Sequence, residues 1–267
     1  MGPMNHPPKQ TTVRPDYYEF RPPPSVSEFV LCFWRQTTGP GSTFCQQILP
    51  DCCIDIILIN GTWRVIGPWT EALVAELPPM TQILGIRCQP GFAPSVLGLP
   101  ASELLNQSVA LSDLLGKDAS SPFTRIAEQS YSAIRMQSLE LALWDRVAKT
   151  TPADSATQAA IQWIARNPRG RVEELSRKLG LSSRQLQRRF TTAVGYGPKL
   201  FQSILRFQRL LHLASSAGAE TGLADLAAVA RYADQAHMNR EVRRFSGKPP
   251  GTLLPSSRST LCLSHLV

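Results

Sequence analysis

The sequence predicts an α+β protein: a small β-rich domain with flanking helices, followed by an all-α domain of two helix-turn-helix units joined by a long helix. Three observations carry that expectation. β-branched runs and an Asn-Gly turn lie between residues 29 and 88, and apolar stripes of helical period take over after Gly98. Within residues 172–250 a pattern of helix, turn and helix then occurs twice.

The bulk properties agree with two folded domains. A chain of 267 residues suffices for two modest cores, and 43% hydrophobic with 18% charged content is that of a globular protein. No run of about 18 apolar residues is present, so no membrane-spanning helix is expected. Residues 1–10 lack the apolar centre of a secretion signal, and His6 stands where a myristoylation signal needs Ser or Thr. A cytoplasmic protein is expected. The six cysteines (Cys32, Cys45, Cys52, Cys53, Cys88, Cys262) include no Cys-x-x-Cys pair and read as free thiols in a reducing compartment.

The net charge of +8 is unevenly placed. Residues 1–154 hold 11 Lys/Arg against 14 Asp/Glu, a balance of −3. Residues 155–254 hold 16 Lys/Arg against 6 Asp/Glu, a balance of +10, and 13 of those 16 cations are arginine. Such one-sidedness marks a polyanion binder, although charge alone does not separate DNA from RNA or a membrane surface.

Along the chain, residues 1–24 carry seven prolines and read as an irregular arm. A β-rich sensory domain with carboxyl-terminal helices is expected over 25–150. Cys53-Ile54-Asp55-Ile56-Ile57-Leu58-Ile59 has the density of a strand buried on both faces. It enters Asn60-Gly61, which supplies the positive φ of a type I′ turn, and Thr62–Ile66 returns until Gly67-Pro68. Gln82–Cys88 is a further strand. Ser102 and Ser112 each precede an acidic residue and two leucines, as helix starts do, and residues 122–149 hold a broken helical stripe. Residues 150–155 (Thr-Thr-Pro-Ala-Asp-Ser) read as a linker, 156–254 as a basic helical domain able to fold alone, and 255–267 as a flexible tail.

The repeat is the most specific feature. Val172-Glu-Glu-Leu-Ser-Arg-Lys-Leu-Gly180-Leu-Ser recurs in form as Leu223-Ala-Asp-Leu-Ala-Ala-Val-Ala-Arg231-Tyr-Ala, 51 residues on. In the first copy Val172, Leu175 and Leu179 make an apolar stripe, Gly180 allows a sharp turn, and Ser182 caps the next helix. Leu186 and Phe190 then face inward, leaving Arg184, Gln187 and Arg188 outward. In the second, Met238 and Val242 face inward, leaving Gln235, Ala236, Asn239 and Arg240 outward. Arg pairs with guanine O6 and N7, and Gln and Asn with adenine N6 and N7, so these faces can read base edges. A solvated polar face would explain either stripe alone, but not the repetition, the arginine bias and the matched turns together.

Residues 156–254 resemble the DNA-binding domain of the AraC/XylS family of bacterial transcription regulators. The resemblance rests on Leu179-Gly180-Leu181-Ser182, Leu186-Gln187-Arg188-Arg189-Phe190, Asp234-Gln235-Ala236-His237-Met238, and Phe245-x-Gly247-x-Pro249-Pro250. It implies sequence-specific double-stranded DNA binding through two recognition helices in successive major grooves, with Pro198–Ser215 as the joining helix. By motif position the base readers would be Arg184, Gln187 and Arg188, then Gln235, Ala236, His237 and Arg240. The resemblance also implies an activator working with RNA polymerase, and leaves homodimerisation open. Where the family has glycine in the second turn this chain has Arg231. Residues 17–116 resemble the effector-side region of one branch of the family, on Leu49-Pro50-Asp51, Cys53-Ile54-Asp55-Ile56-Ile57, Ile66-Gly67-Pro68 and Leu84-Gly85-Ile86-Arg87. That implies a sensory domain for an unknown small-molecule effector, and Cys52 stands where the branch has glycine.

Two other readings compete. Cys52 and Cys53 beside Asp51 suggest a thiol or soft-metal sensor, but adjacent strand residues point to opposite faces and no zinc spacing is present. An architectural, sequence-indifferent DNA binder would also carry the charge. The four histidines show no ligand spacing, no nucleophile–base–orienter set is visible, and the four-cysteine site of alkyl-transfer regulators is missing, so neither a cofactor nor catalysis is expected.

Overall fold

A computed structural model describes residues 15–128, 133–216 and 221–254, with residues 133–136 described as backbone only. The tail expected over 255–267 and most of the arm expected over 1–24 lie outside the described residues. Among the described residues the amino-terminal part holds eight strands: β1 (Asp16–Phe20), β2 (Val30–Thr37), β3 (Phe44–Ile48), β4 (Asp55–Ile59), β5 (Thr62–Ile66), β6 (Leu73–Leu77), β7 (Gln82–Cys88) and β8 (Ser108–Ala110). Six form an antiparallel sheet in the order β1-β2-β7-β4-β5-β8, and β3 pairs with β6 in a separate ribbon. The β4–β5 hairpin turns at Asn60 and Gly61, whose φ values of 50° and 76° are those the Asn-Gly dipeptide predicts.

Strand β4 differs in detail from the expectation. Ile56 and Leu58 are buried, while Asp55, Ile57 and Ile59 are half-buried, because the two faces of the sheet meet different neighbours. One face packs Phe33, Ile56, Trp63, Val65 and Ile86 against helices α1 (Ala93–Leu97), α2 (Leu111–Ala127) and α3 (Ala133–Ala148). The other turns Trp34, Ile57 and Ile83 toward the carboxyl-terminal domain. Part of the expected arm is also ordered as strand. β1 pairs along β2, with Tyr17 stacked on Trp34 at 5.7 Å and the Arg35 guanidinium over the Tyr18 ring at 4.7 Å. It thereby covers an edge that would otherwise present unpaired backbone groups.

Neither serine expected to open a helix caps one. Ser102 lies in a single 3-10 turn, Ala101–Leu104. Ser112 falls inside α2, which begins one residue earlier because the pairing of β8 with β5 holds Ala110 extended and makes it the boundary. Gly116 (φ 74°) bends that helix, and no helix among the described residues is long and apolar enough to cross a membrane.

After an irregular stretch from Thr151 to Asp154 the chain is helical: α4 (Ser155–Arg166), α5 (Val172–Lys178), α6 (Ser183–Val194), α7 (Pro198–Ser216), α8 (Leu223–Val229), α9 (Gln235–Ser246) and α10 (Pro250–Leu253). The core of this domain is not separate from its neighbour. Leu31, Trp34, Cys52, Leu77 and Ile83 belong to the same buried cluster as Phe190, Phe201, Phe207 and Phe245. The Gln208 amide donates to the Pro50 carbonyl, Gln47 Nε2 donates to the Ser246 carbonyl at 2.7 Å, and Gln158 Nε2 to that of Pro90 at 3.3 Å. Gly195 is packed so closely on Pro68 and Ala101 that a methyl group there would collide. The β-domain thus touches α4, α6, α7 and the end of α9.

Candidate nucleic-acid interface

Each helix-turn-helix unit is built from local chemistry. In the first, Val172 and Leu175 bury one face of α5, and the chain then turns at Gly180 with φ 64°. Gly180 N–H donates to Arg177 O at 3.1 Å and Leu181 N–H to Ser176 O at 2.9 Å, closing the helix. Ser182 starts α6 with a reciprocal cap: its hydroxyl accepts from Gln185 N–H, and the Gln185 side chain accepts from Ser182 N–H.

The second unit repeats these bonds at an offset of 51. Arg231 N–H donates to Ala228 O at 3.1 Å and Tyr232 N–H to Ala227 O at 2.9 Å. Arg231 takes φ 68° with a full side chain, at a strain of about 1 kcal/mol. The turn therefore keeps the shape that glycine gives its counterpart. Asp234 caps α9, its Oδ1 accepting from His237 N–H at 2.6 Å. Helix α7 runs beneath both units, with Phe201, Ile204, Phe207, Leu210 and Leu211 buried.

The candidate base readers sit as follows. On α6, Arg184, Gln187 and Arg188 are exposed, around a buried line of Leu186 and Phe190. Gln187 leans along its helix, donating to Thr191 Oγ1 at 3.3 Å and lying over Gly197. Arg189 faces another way and pairs with Asp154 at 3.0 Å, at the start of α4. On α9, Gln235, Ala236 and Arg240 are exposed. Asn239 is half-buried, and so is His237, whose ring meets Tyr232 edge-on at 5.4 Å and whose Nε2 lies 3.5 Å from Glu241. Glu241 also faces Arg206 of α7 at 3.7 Å, and the Arg206 guanidinium lies over the Tyr232 ring at 5.4 Å. His237 and Glu241 stand one turn apart on α9, with Tyr232 just ahead of the helix; Arg206 joins them only through the packing of α9 on α7, which the sequence does not reveal.

Cys52 and Cys53 lie away from both units' outward faces. Cys52 has φ 67°, consistent with glycine at that place in the resembling branch, and its thiol faces the Phe201 carbonyl at 3.8 Å. Cys53 faces the Asp51 carbonyl at 3.5 Å. Both are buried, and that burial pushes both thiols well above their ordinary range. Beside them Arg87 holds Asp55 through two bonds of 2.9 and 2.8 Å and reaches Asp51 at 3.3 Å.

Residues 175–255 match the family described as Helix-turn-helix domain, and residues 18–110 match the family described as Domain of unknown function (DUF6597). No curated protein matches the chain in sequence. Among solved structures, an apo form of a ToxT point variant from Vibrio cholerae strain SCE256 is similar at a TM-score of 0.44 and 11% identity, covering 83% of this chain and 96% of that one. ToxT from Vibrio cholerae O395 gives 0.44 and 9%, covering 82% and 95%, and a further Vibrio cholerae ToxT structure gives 0.43 and 11%, covering 83% and 97%. Residues 175–255 are accordingly a helix-turn-helix domain of AraC type, with a DUF6597 domain ahead of it over residues 18–110, and this supports a DNA-binding transcription regulator.

Proposed function

We propose that the protein reads two successive major-groove segments of one DNA duplex, with α6 in the first and α9 in the second, and that the amino-terminal domain modulates this in response to a small-molecule effector. The observation that carries the reading is the duplicated, capped turn, which presents Arg184, Gln187 and Arg188 on one unit and Gln235, Ala236 and Arg240 on the other. Asn239 and His237 stand at the margin of the second face. The 19 residues of α7 extend about 28 Å at 1.5 Å per residue, a length comparable with one turn of DNA. Helix α7 is thus long enough to carry two recognition helices to neighbouring grooves. Activation of transcription with RNA polymerase is what the AraC-type resemblance implies.

Selection of duplexes from a randomised pool by the full-length protein tests the reading. A two-part motif is expected, and Arg188→Ala and Arg240→Ala should each relax one base position in a different part, by about 1–3 kcal/mol. Retention of the pool without any motif would identify an architectural binder and overturn the proposal.

A further inference from the structure

Arg169 lies in the loop between α4 and α5, in the first unit, yet its guanidinium is engaged by the second. Its Nε donates to the Arg231 carbonyl at 3.2 Å and its Nη2 to the Tyr232 carbonyl at 2.6 Å, across 62 and 63 residues of sequence. Both acceptors belong to the turn that aims α9. The left-handed backbone at Arg231 sets the direction of these carbonyls, so one planar guanidinium spans the two.

The loop that carries Arg169 is itself fastened. Gln202 of α7 donates to the Gly170 carbonyl at 2.9 Å and the Asn167 carbonyl at 3.3 Å, and Asn167 Nδ2 donates to Trp163 O at 2.8 Å. Gly170 lies against the Trp163 ring so closely that an added methyl carbon would fall 2.1 Å from it. On the far side, Tyr232 is gripped a second time, by the Arg206 guanidinium over its ring. The tie therefore joins two anchored points.

We infer that Arg169 is a positioning residue for DNA recognition: it fixes the second recognition helix relative to the first, and so sets which separation of the two base-read segments the protein accepts. The inference rests on the two-segment reading proposed above. Both units are carried on α7, and the β-domain meets the second at the far end of α9, at Ser246. The Arg169 fork ties the opposite end, at the turn from which α9 starts. Its acceptors are neutral carbonyls, so its role depends on fork geometry more than on charge. Lysine keeps the charge and loses the fork.

The experiment uses the full-length protein and a duplex selected from a randomised pool by the unaltered chain, remade with one or two base pairs inserted or deleted between the two parts. The unaltered protein should lose affinity about tenfold or more per displaced base pair, because a shifted segment forfeits base contacts. Arg169→Lys and Arg169→Ala should both flatten that penalty to about threefold or less, while affinity for the best spacing falls by less than about tenfold. If Arg169→Lys behaves like the parent, and Arg169→Ala only weakens every spacing equally with a salt slope smaller by about 0.9, then Arg169 is a phosphate contact and the inference is wrong. An unchanged spacing penalty in both variants overturns it too. A parent protein indifferent to spacing would instead refute the two-segment reading itself. Should Arg169→Ala fail to melt like the parent, the lysine variant decides.

Discussion

Arg231 and Cys52 both hold φ near 67°, a region where a Cβ is strained and glycine is not. Arg231 is exposed, so replacing it by glycine removes strain without opening a cavity. Arg231→Gly should stabilise the protein by about 1 kcal/mol in chemical denaturation, and a loss of stability would show that the side chain makes contacts worth more than the strain. The balance at Cys52 is different. Its side chain is buried against the helical domain, so Cys52→Gly gains the same relief but forfeits packing, and the two nearly cancel. Thiol accessibility gives a sharper measurement. Cys45 is exposed, whereas Cys32, Cys52, Cys53 and Cys88 are buried, with the Cys88 thiol pushed up to about 12 by burial. Of these five, a maleimide at neutral pH should label Cys45 within minutes and the others only on unfolding. Fast labelling of Cys52 in the native protein would reopen a thiol-sensing role. The positive φ at both positions was legible in the sequence, because each stands where a recognisable motif has glycine. The partners of Cys52 were not legible, since Phe201 lies 149 residues away and only the folded chain brings them together.

Helix α6 shows what local chemistry alone can specify. Ser182, Gln185 and the inward pair Leu186 and Phe190 lie within nine residues, so cap, register and outward face can be read together. Ser182→Ala should cost about 1 kcal/mol of stability, and Asp234→Ala a similar amount at α9, measured by thermal or urea unfolding. No change at either site would mean that tertiary packing, and not the cap, sets where the recognition helix begins. The hairpin of β4 and β5 was equally legible from Asn60-Gly61. Elements whose boundaries depend on a distant strand were not. β1 exists because the edge of β2 is open to it, and α2 starts at Leu111 because β5 holds the preceding residues extended. On α9 the exposed row of Gln235, Ala236 and Arg240 follows from period alone. His237 instead turns inward against Tyr232 and Glu241, both of which also meet Arg206 on another helix.

At the scale of the molecule, the division of charge and the division of packing do not coincide. The basic excess belongs to residues 155–254, but the apolar surface of that segment is completed by the β-domain through Trp34, Cys52, Leu77 and Ile83. Composition reports the first and is blind to the second, so the sequence suggests an autonomous basic domain where the structure has a shared core. The β-domain contacts both units, at Gly195 after α6 and at Ser246 ending α9. The central claim is that two helices of one chain read two grooves of one duplex. Dimethyl sulfate protection of guanine N7 on a selected duplex tests it most directly. Two protected major-groove segments about 10–10.5 base pairs apart on one face are expected, Arg188→Ala losing protection in one and Arg240→Ala in the other. Protection confined to a single segment, or lost from both with either substitution, would contradict the account.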